Sequence, residues 1–360
     1  MKEKAALYSK LKEQNLVPLW LVEQDVLPLR PNPAAIPWLW KWDQLYELAA
    51  ASGKLVNLEE GGDRRALGLS NPGLNGKPYA TETLWMALQW LNGKEIAPPH
   101  RHISQASRFI IRSEGSYSTV EGNRIFLERG DYVLNPPMLW HDHGSTNDKH
   151  AIWLDALDIP LTNYLNANFF ESYHLDQQEI TKKMNASVLK HGNGNYRPLW
   201  EPSNNEYPPV SVFKWKDTLK ALNDLKEADE ASPYDDVALE YVNSFNGKAV
   251  MKTFGASIQM IRPKVHTKAH RHVSSNVYYV FEGNGYSVID GVQFNWSEGD
   301  FFVIPTWAYH EHCNISEDSD AILFSVNDTP LMQTLDKYRE EPYLENDGYQ
   351  TVREVFKSPL

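Results

Sequence analysis

Residues 98 to 143 read PPHRHISQASRFIIRSEGSYSTVEGNRIFLERGDYVLNPPMLWHDH. Two histidines one residue apart, His100 and His102, lead into an apolar run. A glycine-punctuated hairpin follows, then Gly130-Asp131, the Pro136-Pro137 turn and a third histidine, His141. Side chains alternate along a strand, so a His-x-His pair on an extended segment presents both imidazoles to one face. A third imidazole returning on a later strand completes a three-nitrogen site for a divalent cation, with positions left open for a substrate.

The stretch occurs twice. Residues 268 to 312 read KAHRHVSSNVYYVFEGNGYSVIDGVQFNWSEGDFFVIPTWAYHEH. His270, His272 and Gly285 each lie 170 positions after His100, His102 and Gly115. After the loss of one residue, Gly299-Asp300, Pro305 and His310 follow Gly130-Asp131, Pro136 and His141 at 169. Upstream, Thr253 and Gln259 answer Thr83 and Gln89. A repeat this long, with a single slip in a hairpin loop, is a duplicated domain.

The chain's 360 residues suit two domains, and a hydrophobic fraction of 42% suits a globular protein with a core in each. The net charge of -12, without a basic stripe, argues against nucleic-acid binding, so an anionic substrate must be held by local cations or a metal. The single cysteine, Cys313, excludes an internal disulfide and fits the cytoplasm. The charged N-terminus has no apolar signal core, and no run approaches the length of a membrane span.

Helical spacing of Leu7, Tyr8 and Leu11 predicts a short N-terminal helix. Residues 17 to 38, rich in proline and tryptophan, read as an extended arm. KWDQLYELAAASG reads as a second helix, stopped by Gly53. The run from Thr83 to Leu91 reads as a strand, and the first barrel is expected to close near Leu157. The hairpin at Val120-Glu121-Gly122-Asn123 is a weaker turn signal than Asp290-Gly291, which suits a type I′ turn. Further on, QQEITKKMNASVLKHG and VFKWKDTLKALNDLKEADE read as helical, and residues 330 to 340 as a last helix. The expected organisation is a helical arm at 1–60, a catalytic barrel at 61–165, a helical linker at 166–242, a second barrel at 243–335 and a tail at 336–360. Many short strands and glycine-rich turns in two equivalent units indicate a mainly β chain of two jelly-roll barrels.

A His-x-His segment followed by a later Pro-x-x-x-x-His segment resembles the cupin pattern, which makes the chain a bicupin of two double-stranded β-helix barrels. Most metal-binding cupins add a glutamate just after His-x-His. The window Ile103-Ser104-Gln105-Ala106-Ser107-Arg108 has no acid, leaving three neutral imidazoles and the full charge of a bound cation. Such a site suits a dianionic chelate, although three histidines alone also suit zinc, nickel or copper.

HRHxxxAxRFII, GDxxLxPPxxWHDHG and WLDALDIPL, with RRALGLSNPGL and TLWMALQ upstream, narrow this further. Together they resemble the gentisate 1,2-dioxygenase family over about residues 5 to 335, a group that includes the salicylate and 1-hydroxy-2-naphthoate dioxygenases. The resemblance implies a homotetramer with non-haem Fe(II) in the N-terminal barrel. It further implies an aromatic ortho-hydroxycarboxylate substrate, cleaved with O2 between its carboxyl-bearing and hydroxyl-bearing carbons, so that gentisate would give maleylpyruvate. Residue by residue it places the metal on His100, His102 and His141. Arg108, six residues past His102 and so on the same face of a continuing strand, resembles the arginine that pairs with the substrate carboxylate. His143 resembles a histidine that bonds a substrate hydroxyl or moves a proton. Arg64, Trp85 and Gln89 match pocket positions, and Asp155 a supporting carboxylate. His270, His272 and His310 form a candidate second site, but Tyr278 and Gly255 stand where Arg108 and Trp85 stand, so catalysis is expected in the first barrel alone. Salicylate or 1-hydroxy-2-naphthoate cleavage is the near alternative. A non-enzymatic small-molecule-binding bicupin and a manganese or zinc decarboxylase or isomerase are the distant ones.

Overall fold

The strand Ala106–Arg112 is buried along nearly its whole length. A continuous apolar run of this kind has to be covered on both faces. Ile110 packs into the first barrel with Ile125, Val133 and Trp153. Phe109 and Ile111 face the other way, into a larger cluster shared with Tyr279, Phe281 and Phe324 of the second barrel. The main core therefore lies between two barrels, built from the outer faces of one sheet from each. The computed structural model describes residues 2–57, 65–192, 194, 196–201 and 206–359.

Each barrel pairs two sheets. In the first, a six-stranded sheet runs in the order Val212–Phe213, Tyr132–Asn135, Ala106–Arg112, Ala151–Leu157, Trp85–Leu91, Ala66–Gly68. Its partner carries Phe170–Ser172, Ile96–His102, His141–Ser145, Ser116–Val120 and Asn123–Phe126. The second barrel repeats this scheme, with His270–His272 beside His310–Asn314 and Asn276–Glu282 beside Ala321–Asn327. The chain is a mainly β bicupin.

The two halves exchange elements. Trp38–Trp40 pairs with Phe301–Ile304 of the second barrel, while Val212–Phe213 pairs with Tyr132–Asn135 of the first. Each short strand leads into a helix, Trp42–Leu55 or Trp215–Glu227. Trp42 N donates to Asp300 Oδ1 at 2.8 Å and Trp215 N to Asp131 Oδ1 at 2.9 Å, and Lys41 and Lys214 ion-pair with the same two carboxylates. This explains the Gly-Asp pair that the repeat displays twice. Gly130 and Gly299 sit at φ +85° and +93°, and a Cβ on either would come within 2.6 or 2.4 Å of the Trp215 or Trp42 ring. A second reciprocal contact joins the barrels: Thr83 Oγ1 donates to Asp328 Oδ2 at 2.6 Å, and Thr253 Oγ1 to Asp158 Oδ2 at 2.7 Å.

Local expectations are corrected in several places. The segment expected to be extended contains the helix Leu19–Val26, which starts directly after Pro18; proline before a helix removes no hydrogen bond that the helix needs. Gly53 does not stop its helix, which continues to Leu55. The glycine is there because a Cβ would lie 2.5 Å from the Trp90 indole. Of QQEITKKMNASVLKHG only Ala186–His191 is helical. Ahead of it, Gln178 is bound in place by Asp142 and by the Thr119 carbonyl. The last helix is short, Thr329–Thr334, and Glu340–Pro342 is a strand beside His270–His272. Glu121-Gly122 makes the same doubly positive-φ turn as Asp290-Gly291. Residues up to Pro33 form a separate compact unit of two helices, Lys2–Glu13 and Leu19–Val26. No helix among the described residues is long and apolar enough to cross a membrane.

Candidate metal centre and substrate pocket

His100 and His102 alternate to one face of Ile96–His102, and His141, the first residue of its strand, lies directly opposite His100 in the register. The three ring centroids are 5.7, 4.5 and 5.0 Å apart, and one nitrogen from each ring falls within 4.8 Å of the others. The Nδ1 atoms of His100, His102 and His141 lie 2.9, 2.7 and 2.9 Å from the carbonyls of Pro98, Ser104 and Leu139. A carbonyl only accepts, so each Nδ1 carries the proton and each Nε2 presents its lone pair. The Nε2 of His141 is buried without a hydrogen-bond partner among the described residues. Burial, then the neighbouring His100 and His102, hold His141 well below the ordinary histidine range, so it is a neutral donor at pH 7. Three imidazoles converging on one point fit a divalent cation.

The turn before the third histidine is strained. Met138, at φ +60°, is anchored by its amide to the His102 carbonyl at 2.8 Å, and this turn aims His141 at its partners.

Arg108 reaches the pocket by a route other than the one its spacing suggests. His102 and Arg108 lie on different strands in opposite sheets, because the chain turns between Ile96–His102 and Ala106–Arg112. The arginine points inward from the facing sheet. Its Nε donates to Asp155 Oδ1, directly across the register, and both side chains are buried. The Nη1 of Arg108 is buried with no hydrogen-bond partner among the described residues. A buried guanidinium with a spare donor is a ready receptor for a carboxylate.

His143 is 1% exposed, and neither of its ring nitrogens finds a protein partner among the described residues. Burial, followed by the nearby Arg108 charge, keeps its imidazole neutral. Trp85 and Gln89, on Trp85–Leu91, line the same cavity of about 340 Å³ as His100, His102, Arg108 and His143. Arg64 lies outside the described residues. Its neighbour Arg65 is buried and turned away from the site, binding the Val56 carbonyl and Glu95.

Sequence reasoning missed part of the wall. Ala66, Leu157, Ile159, Asn168 and Phe170 also line the cavity. Phe170 stacks on His100 at 5.3 Å, from a strand that pairs with the ligand strand itself. The aromatic pair Phe169-Phe170 in an otherwise polar stretch was the available signal.

Both repeats match the family model described as Cupin domain, at residues 88–157 and 257–327. The 5-aminosalicylate 1,2-dioxygenase of Comamonas sp is 36% identical over 98% of this chain and 94% of that protein. Gentisate 1,2 dioxygenase 1 of Aquipseudomonas alcaligenes is 35% identical over 94% of this chain and 96% of its own length. The chain belongs to the gentisate 1,2-dioxygenase family.

Among solved structures, a salicylate 1,2-dioxygenase from Pseudoaminobacter salicylatoxidans with bound gentisate superposes with a TM-score of 0.89. The two chains are 34% identical, covering 95% of this one and 94% of that one. As a member of the gentisate 1,2-dioxygenase family this protein is a ring-cleaving dioxygenase, which sets aside the non-enzymatic binding, decarboxylase and isomerase readings.

Proposed function

We propose that this chain opens the ring of gentisate in its first barrel, with iron(II) held by His100, His102 and His141. The observation that carries the proposal is the spare, buried Nη1 of Arg108 in the same cavity as a three-imidazole donor set. Bound iron(II) would gather the substrate's carboxylate and ortho-hydroxyl oxygens with dioxygen and let electrons pass between ring and oxygen.

The protein's own groups do the rest. Arg108 binds the carboxylate through Nη1, while Asp155 holds its Nε and so fixes the plane of the guanidinium fork. Asp155 is steadied in turn by Trp153, whose Nε1 donates to Oδ2 at 3.3 Å. His143 is neutral and unpartnered, so it accepts the proton of a substrate hydroxyl without first having to lose one. Trp85, Leu157, Ile159 and Phe170 clasp the ring and keep bulk water out. Breaking the bond between the two substituted carbons, with one oxygen atom added to each, turns the carboxyl-bearing carbon into a ketone and the hydroxyl-bearing carbon into a carboxylate. Gentisate plus dioxygen is maleylpyruvate, with no other reactant required.

A second reading is favoured by the relative that acts on 5-aminosalicylate. Its amino group, like the second hydroxyl of gentisate, feeds electron density into the ring from the position para to the ortho hydroxyl. On either reading the protein works as a cytoplasmic homotetramer, a placement supported by the buried free Cys313 and by the family resemblance. The test is oxygen uptake and product absorbance after anaerobic iron(II) loading, with gentisate, 5-aminosalicylate, salicylate and 1-hydroxy-2-naphthoate compared by kcat/KM. Gentisate should rank first, and His102→Ala should abolish turnover. An iron-loaded protein inert toward all four acids would overturn the proposal.

A further inference from the structure

We infer that the second barrel binds a divalent cation of its own, on His270, His272 and His310, and that this cation takes no arenecarboxylate. The inference does not rest on the reaction assigned to the first barrel.

The donor geometry is the first barrel's repeated. His310 lies directly opposite His270 in the register, as His141 lies opposite His100. The ring centroids are 5.4, 4.3 and 4.9 Å apart, and one nitrogen from each ring falls within 4.8 Å of the others. The Nδ1 of His310 bonds the Ala308 carbonyl at 3.0 Å, and the Nδ1 of His272 is held by the Ser274 hydroxyl at 2.7 Å. The strained turn is kept too: Trp307, at φ +68°, binds the His272 carbonyl through its amide at 2.9 Å. His270 departs in one respect, since its Nδ1 is buried without a hydrogen-bond partner among the described residues. Two buried imidazoles and a half-buried one turned on one point repel through their lone pairs unless a cation or a donor sits among them.

What surrounds the triad differs in four matched positions, which remove the guanidinium and add a carboxylate. Tyr278 occupies the place of Arg108, and Ser325 opposite it occupies that of Asp155. The Tyr278 ring stacks on Phe302 at 4.8 Å, and its oxygen accepts from Asn276 Nδ2 at 3.3 Å, so it closes the space where the guanidinium opens it. Gly255 replaces Trp85. Glu340 takes the register position of Phe170, next to His272, and accepts from the Tyr338 hydroxyl at 2.7 Å. The half-buried Asp235 follows Tyr234, whose ring lies 4.9 Å from that of His270. The first site joins a cation to a guanidinium and so favours an anionic ligand. The second joins a cation to carboxylates, which offset its charge and repel an acid.

The test is metal content after anaerobic loading with cobalt(II), desalting and elemental analysis. Two equivalents are expected per wild-type chain, one for His102→Ala and one for the double variant His272→Ala/His310→Ala. The double variant should keep ring-cleavage kcat/KM within about twofold of wild type. Should the double variant fail to fold, the visible cobalt(II) absorption of the His102→Ala protein decides, since all of it must come from the second barrel. One equivalent in the wild type, or a colourless His102→Ala protein, overturns the site. Turnover of any hydroxybenzoate by His102→Ala protein overturns the exclusion of carboxylates. None of these metal counts depends on which acid the first barrel cleaves, so the two proposals fail separately.

Discussion

The Arg108–Asp155 pair shows how one buried charge is used twice. Asp155 takes one edge of the guanidinium and leaves Nη1 for the carboxylate of the proposed substrate. Arg108→Ala should lower kcat/KM for gentisate by about a hundredfold, chiefly through KM, because a charge-assisted contact of about 3 kcal/mol disappears. Iron content should not change, since the arginine touches no ligand nitrogen. Arg108→Lys should recover only part of the loss, as an ammonium cannot bond Asp155 and a carboxylate in one plane; steady-state kinetics with metal analysis checks both. Asp328 gives a prediction of another kind. Burial pushes its carboxyl up to about 6, against opposing hydrogen bonds from Thr83 and Ser275. Between about pH 4 and 6 the folded state then holds a proton that the unfolded chain has released, so stability falls as pH rises through that window. The full effect is about 3 kcal/mol. The melting temperature of wild type, relative to Asp328→Asn, should decline from pH 4 to 6 and then level off; a constant difference would refute the assignment.

The helices Trp42–Leu55 and Trp215–Glu227 are best understood as clasps, each belonging to one half of the chain and closing the barrel of the other. Their seats are the Gly-Asp turns. Asp131→Ala would leave the mostly buried Lys214 with only the exposed Glu128 as ion-pair partner and the Trp215 amide without its acceptor, at a cost of about 3 kcal/mol. Gly130→Ala should cost at least as much, since the alanine would need both a left-handed backbone and room that Trp215 already fills. Urea denaturation of the two variants, and of Asp300→Ala and Gly299→Ala in the matching turn, should return similar losses at both seats. A loss at one seat alone would show that the exchange is not reciprocal. Neither clasp was visible as such in the sequence. Gly130-Asp131 stands out as a repeated motif, but the tryptophan that explains it is contributed from 85 positions downstream of Gly130.

At the scale of the whole molecule, the exchange and the shared core make the two barrels one folding unit. Phe109 stacks on Phe324 at 4.2 Å and meets Phe281 edge-on at 5.2 Å, each contact crossing from one barrel to the other. Phe109→Ala should remove about 3 to 5 kcal/mol and lower the melting temperature of both barrels together. Residues 1–165 expressed alone should be insoluble, lacking Val212–Phe213 and its helix and exposing the Phe109 face. Coexpression with 166–360 should restore soluble protein and a single cooperative calorimetric transition. Two separate transitions in the intact chain would contradict this.

The sequence by itself determined the duplication, the barrel class and the two histidine triads. A ligand set needs only a few residue types at a spacing that strand alternation turns into geometry, and the repeat displayed that spacing twice. It also singled out Arg108, though by a parity argument that the chain's turn into the opposite sheet makes irrelevant. Only the tertiary structure decided that Arg108 and Asp155 pair across a register, that Phe170 walls the pocket from a strand 68 residues beyond His102, and that each half closes the other's barrel. Those contacts join residues far apart in the chain. Their energy comes from complementary surfaces and matched buried charges, which no local pattern encodes.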